Sequence, residues 1–228
     1  MGNHLEENLR KIINKEYTVG VIGMGYVGLP LSLVFCEKGI KTIGFDVNNK
    51  ILKSLENGKS YIKHIESSDI KKYVNNQKLI PSSNFEDIAR VNMIIICVPT
   101  PLNKHKEPDL RHIQNSLNSI KRYLLKGQTI CLESTTFPGT TEEILKPFIE
   151  KEGFNIGKDF FLIYSPERED PGNKVYKTQN IPKIIGGTTN ACSLVGEKIY
   201  SQIIEKVIVL SSTKAAEMTK LLENIHRA

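Results

Sequence analysis

Hydrophobic and polar positions along this chain follow two alternating periods. Residues 18–22 are a short β-branched run that stops at Gly23, and an apolar stretch over 27–36 follows and stops at Gly39. Residues 41–45 alternate into a second extended run closed by Asp46. This spacing predicts strand, tight turn, helix and strand, a βαβ unit of about 30 residues. Residues 93–98 are continuously apolar between Asn92 and Pro99, as in a parallel strand covered on both faces. Asp109 is placed to cap a helix reaching residue 125, Gly127 breaks it, and 129–132 form another strand. Beyond Pro138-Gly139 the pattern predicts a helix to 150, strands at 160–164, 183–185 and 207–210, and a helix over 190–203. Segment 58–83 is less regular, and its polar helical stretch at 67–76 predicts an excursion off the sheet edge. Strands alternating with helices give an α/β class: a doubly wound, Rossmann-type parallel sheet with helices on both faces, extended by further β/α units.

The last segment opens with the cap-type residues Ser211, Ser212 and Thr213, and then places Ala215, Met218, Leu222 and Ile225 on one helical face. Leaving such side chains in water costs about 1.5–3 kcal/mol each, so this stripe is expected to pack on the preceding domain or on a second chain. No glycine or proline ends the helix before Ala228, which reads as a stop inside a helix.

Composition narrows the function classes. Of 228 residues, 39% are hydrophobic and 25% charged, ordinary values for a globular protein. No apolar run approaches the roughly 20 residues of a membrane-spanning helix. Residues 1–16 are too polar for a signal peptide, so a cytoplasmic protein is expected. The net charge of +6 comes from lysines scattered among acids, without the arginine-rich block of a nucleic-acid binder. A mildly basic surface suits an anionic nucleotide. Cys36, Cys97, Cys131 and Cys192 form no Cys-x-x-Cys pair, so no metal site is expected, and each reads as a small buried hydrophobe.

The chemistry concentrates at Gly23-Met24-Gly25-Tyr26-Val27-Gly28, a Gly-x-Gly-x-x-Gly string set between a predicted strand and a predicted helix. Gly23 permits the turn, Gly25 lets backbone N–H groups approach a diphosphate, and Gly28 lets helix and strand pack closely. The helix N-terminus adds partial positive charge, and Pro30 in its first turn loses no needed donor. Asp46, 18 residues past Gly28, stands where adenosine ribose hydroxyls are read and repels a 2'-phosphate, so the expected cofactor is NAD. The bland alternative is a tight turn that binds nothing beside a solvated strand-end acid.

Three strings carry a resemblance: Gly25-Tyr26-Val27-Gly28-Leu29-Pro30, Cys97-Val98-Pro99-Thr100-Pro101, and Ser165-Pro166-Glu167-Arg168-Glu169-Asp170-Pro171-Gly172. The chain resembles the UDP-glucose/GDP-mannose dehydrogenase family over nearly its whole length. Residues 133–143 and the Ser-Pro-Glu-Arg string look most like the branch oxidising UDP-N-acetylhexosamines, UDP-N-acetylglucosamine above all. The resemblance implies a two-step oxidation in which two NAD molecules take hydride from C6 of the sugar, an alcohol becoming a carboxylate through a thioester. It implies that Thr100 and Ser134, with Pro99 and Thr135 beside them, contact the nicotinamide side of NAD. Thr135 and Glu167 would hold the hydrolytic water, with Glu167 as general base. Lys220 and Asn224, four residues apart on one helical face, would stabilise the oxyanion at C6. Read blandly, Lys220 is a surface lysine and Glu167 a loop acid.

Two departures accompany the resemblance. The family places a basic residue five positions after the ribose acid; here Ile51 stands there, and Lys50 would substitute. The family's nucleophilic cysteine follows the central helix in a Gly-rich segment, whereas Cys97 and Cys131 fall in predicted buried strands. The implied organisation is a polar extension over 1–16, an NAD-binding domain over 17–210, and the start of a central helix over 211–228, through which a homodimer or higher oligomer forms. By itself such a chain should bind NAD without full turnover, the UDP-sugar site lying in the complete enzyme. The alternatives are a non-catalytic nucleotide-binding module, a UDP-glucose or UDP-N-acetylmannosamine dehydrogenase, or an enzyme of the two-domain hydroxyacid dehydrogenase type.

Overall fold

The computed structural model describes residues 4–102, 104, 108–167 and 181–227. Its first half runs α1 (His4–Ile13), β1 (Thr18–Ile22), α2 (Gly28–Glu37), β2 (Lys41–Phe45), α3 (Asn49–Glu56), α4 (Ser67–Asn75), β3 (Leu79–Ser82) and β4 (Met93–Ile96). The second half adds α5 (Arg111–Ile120), β5 (Thr129–Leu132), α6 (Lys146–Lys151), β6 (Phe161–Tyr164), β7 (Lys183–Gly187), α7 (Asn190–Tyr200), β8 (Val207–Val209) and α8 (Thr213–Arg227).

The eight strands form one sheet in the order β3-β2-β1-β4-β5-β6-β7-β8. Odd-numbered residues such as Val19, Val21, Met93, Ile95, Cys131 and Phe161 enter one core layer. Their even-numbered neighbours Ile22, Ile94, Ile96, Ile130 and Leu162 enter the other. The period-2 geometry of a strand thus feeds two buried faces, which is why these strands read as unbroken apolar runs.

Four features depart from the pattern-based expectation. Segment 58–83 does not leave the sheet: after α4 it adds β3 as a parallel edge strand, with Thr42 opposite Leu79 and Phe45 opposite Ser82. Only Leu79 of β3 is buried, and Pro81 lacks a donor, which an edge strand tolerates and a strand pattern hides. β7 runs antiparallel to β6, a direction that buried apolar residues do not encode. The polar N-terminus is a helix, with Leu5, Leu9 and Ile12 packed on the core and the Asn8 amide donating to the Gly127 carbonyl at 2.7 Å. The stripe on α8 does not pack on the rest of the described chain: Met218, Leu222 and Ile225 are 42%, 58% and 64% exposed. The helix instead turns Thr213, Ala216, Glu217 and Lys220 inward: Ala216 joins the core layer of Ile94 and Leu162, and Glu217 meets polar groups of residues 139 and 141.

β2 and β3 are added on one side of β1 and β4 onward on the other, so a switch point lies between the parallel strands β1 and β4, where open α/β sheets leave a crevice beyond their carboxyl ends.

Candidate functional site

The glycine string lies at that crevice. Gly23 has φ +96°, and a Cβ there would sit 2.7 Å from the Cys97 carbonyl oxygen. At Gly28 a Cβ would come within 1.9 Å of the Gly23 carbonyl oxygen, so the helix can start this close to the strand only with glycine. Gly25 lines the cavity, and a Cβ there would meet nothing within 4 Å. Met24 behaves differently from the expectation that counted it among cofactor contacts. Its side chain is fully buried against Gly44, where a Cβ would fall 2.6 Å from its sulfur. Its N–H donates to Asp46 Oδ2 at 2.9 Å, and its carbonyl accepts from the Tyr61 hydroxyl. Met24 therefore anchors the loop to β2 and is absent from the cavity wall.

The cavity has a volume of about 630 Å³, within the range of cofactor sites. The carboxyl ends of β1, β2, β4 and β5 open into it. Asp46, Val47 and Ile51 line one end, with Gly25, Tyr26 and Val27 along the loop and Pro99, Thr100, Ser134, Thr135 and Glu167 also on the wall. An open cradle at Gly25 and a carboxylate at the end of β2 fit a dinucleotide. Ile51 rather than Lys50 faces the cavity, and Lys50 is exposed, so the proposed lysine substitute is not part of the wall. Helix α5 adds His112, Asn115 and Ser119, which sequence reasoning missed because their contribution depends on how α5 lies against the crevice.

Beyond the loop the wall is braced by its own hydrogen bonds. Thr100 Oγ1 donates to the Thr135 carbonyl at 2.7 Å, and Ser134 Oγ to the Val98 carbonyl at 2.7 Å. Lys220 is only 7% exposed, which removes the surface-lysine reading. Its ammonium donates to the Glu167 carbonyl, and Nζ lies 3.6 Å from Glu167 Oε2. Burial raises the Glu167 carboxyl above its ordinary value, against the opposing charges of Lys220 and Lys183. Asn224 lies one turn beyond Lys220 on α8, its side chain outside the described residues, as are residues 168–172 of the Ser-Pro-Glu-Arg string.

Beside Cys97 and Ser134 the cavity wall holds a feature absent from the sequence reading. Glu133 is 2% exposed, yet it pairs with the Lys183 ammonium at 2.7 Å and accepts from the Tyr200 hydroxyl. Burial works against the Lys183 charge, but Glu133 outweighs it and holds the ammonium above its ordinary value. The only advance signal was a charged residue at the edge of each of two apolar strands. Three thiols are held neutral: burial pushes Cys36 up to about 11, and burial with the nearby Glu133 charge pushes up Cys97 and Cys131. Cys192 is fully buried.

A Rossmann-type sheet with a glycine cradle and a strand-end carboxylate defines a dinucleotide-binding dehydrogenase domain. Residues 17–204 match the NAD-binding domain of the UDP-glucose/GDP-mannose dehydrogenase family, and the chain belongs to that family. It is 36% identical over 215 residues to UDP-N-acetyl-D-glucosamine 6-dehydrogenase of Pseudomonas aeruginosa, covering 93% of this chain and 50% of that protein. The native structure of the UDP-N-acetyl-mannosamine dehydrogenase Cap5O from Staphylococcus aureus is similar with a TM-score of 0.86 at 35% identity, covering 92% of this chain and 51% of that one. The NDP-N-acetyl-D-galactosaminuronic acid dehydrogenase from Methanosarcina mazei Go1 gives 0.87 at 31%, covering 100% and 50%. The chain thus spans about half the length of the relatives it matches. The cofactor of the family domain is NAD. Among the described residues no helix is long and apolar enough to cross a membrane.

Proposed function

We propose that this chain is the NAD-binding portion of a UDP-N-acetylhexosamine 6-dehydrogenase, with UDP-N-acetylglucosamine as the first choice of sugar. The observation that carries the reading is the buried Lys220 held against Glu167 at the wall of the dinucleotide cavity. Bound NAD supplies the electron acceptor. Asp46 accepts hydrogen bonds from the adenosine ribose, and the loop with the start of α2 receives the diphosphate. Lys220 and Asn224 stabilise negative charge on the C6 oxygen. Glu167, its carboxyl raised by burial, takes a proton from a water that Thr135 helps to hold. UDP-N-acetylmannosamine is the second reading, favoured by the name of the S. aureus relative. The exposed stripe of Met218, Leu222 and Ile225 is where a second copy packs along α8.

The purified chain given NAD with either UDP-sugar is expected to bind NAD and to produce no steady NADH. Cys97, the cysteine that lines the cavity, is pushed by burial away from the thiolate, the form a nucleophile needs. Continuous NADH formation at roughly 1 per second or faster, within the ordinary enzymatic range, would contradict this reading.

A further inference from the structure

Glu217 is fully buried on α8, three residues before Lys220. It takes three donors from the start of one helical segment: the Gly139 N–H to Oε2 at 2.5 Å, and the Thr141 N–H and hydroxyl to Oε1 at 2.9 and 2.7 Å. The other polar ties between this helix and the same region are single contacts of 3.2 Å or longer. Lys214 reaches Glu143 at 3.2 Å with both side chains more than half exposed, and Thr213 reaches Glu142 at 3.4 Å. A carboxylate taken out of water is unfavourable unless its lone pairs are met, so an apolar residue would seat the helix with less desolvation. An apolar residue would, however, tolerate several rotations of α8. Three directed hydrogen bonds onto a fixed helix start permit one.

We infer that Glu217 is a positioning residue, whose bonds to Gly139 and Thr141 set the rotation and depth of α8 so that Lys220 meets Glu167. Residues three apart share a helix face, so a rotation that frees Glu217 also carries Lys220 away from Glu167. The importance of this contact for oxidation rests on the function proposed above; the contact itself is tested without NAD or sugar, so either idea can fail alone.

The test is zero-length carbodiimide cross-linking of the whole chain, read by mass spectrometry, with hydrogen exchange alongside. In Glu217→Ala the Lys220–Glu167 product should fall about fivefold or more, as expected for losing charge-assisted hydrogen bonds. The amides of Gly139 and Thr141 should exchange faster. The Lys11–Glu7 product within α1, a pair 2.7 Å apart in the native chain, should be unchanged. Glu217→Gln keeps the size and one acceptor oxygen and should restore an intermediate yield, which a merely space-filling role would not produce. A native Lys220–Glu167 yield in the alanine variant overturns the inference. If that variant does not fold, a native yield in the glutamine variant overturns it, and a reduced yield supports it.

Discussion

Gly28→Ala should destabilise the chain by about 3 kcal/mol or more, at or beyond the upper end of typical overpacking, lowering its melting temperature by roughly 6–12 °C. The added methyl would lie 1.9 Å from the Gly23 carbonyl oxygen and 3.0 Å from Val21 Cγ1, so the loop or α2 must move. Gly25→Ala makes the contrast. Its methyl meets no protein atom within 4 Å, so stability should change by no more than about 0.5 kcal/mol. The same methyl intrudes on the diphosphate cradle, and NAD affinity should fall about tenfold or more, roughly 1.4 kcal/mol. Thermal melts and NAD titrations of both variants separate the two glycines: one builds the fold, the other leaves room for the ligand. Equal melting of the two variants, or native NAD affinity in Gly25→Ala, would show that the cradle is misassigned.

Lys183→Met should cost about 3–5 kcal/mol, because it leaves the Glu133 carboxylate buried with one partner fewer. The ion pair is 2.7 Å long, and its side chains are 10% and 1% exposed, so solvent does little to screen it. The double variant Glu133→Gln, Lys183→Met removes both charges and keeps similar volumes, and it should recover most of the loss. Urea unfolding at unchanged m-value measures both, and the non-additivity of the cycle reports the coupling. A double variant as unstable as the single one would mean that Lys183 acts by packing alone.

What could be read from the chain beforehand was local. The glycine loop, Asp46 and the strands at 18–22, 41–45 and 129–132 are each specified by neighbours within a few residues, and all adopt the expected structure. What could not be read was tertiary. Glu133 meets Lys183 across 50 residues and Tyr200 across 67, and nothing local marks them as partners. Glu217 lies three residues before Lys220, yet an acid on a helix reads as a solvated residue until the groups of residues 139 and 141 are seen to enclose it. The stripe on α8 was expected on the preceding domain or on a second chain, and the described residues do not cover it. Periodicity finds the apolar face, whereas the face turned inward here carries Ala216 together with Thr213, Glu217 and Lys220, which no local pattern marks. Met24 shows that a motif position need not share its neighbours' role, since the room that draws it into the core is made by Gly44, 20 residues away on β2.

Calorimetric titration of the chain with NAD and with NADP tests directly whether the cavity holds NAD with its adenosine ribose at Asp46. One NAD should bind per chain. NADP should bind about tenfold more weakly or worse, a penalty of roughly 1.4 kcal/mol, because its 2'-phosphate meets the Asp46 carboxylate. Absence of NAD binding, or NADP binding as tightly as NAD, would contradict the account.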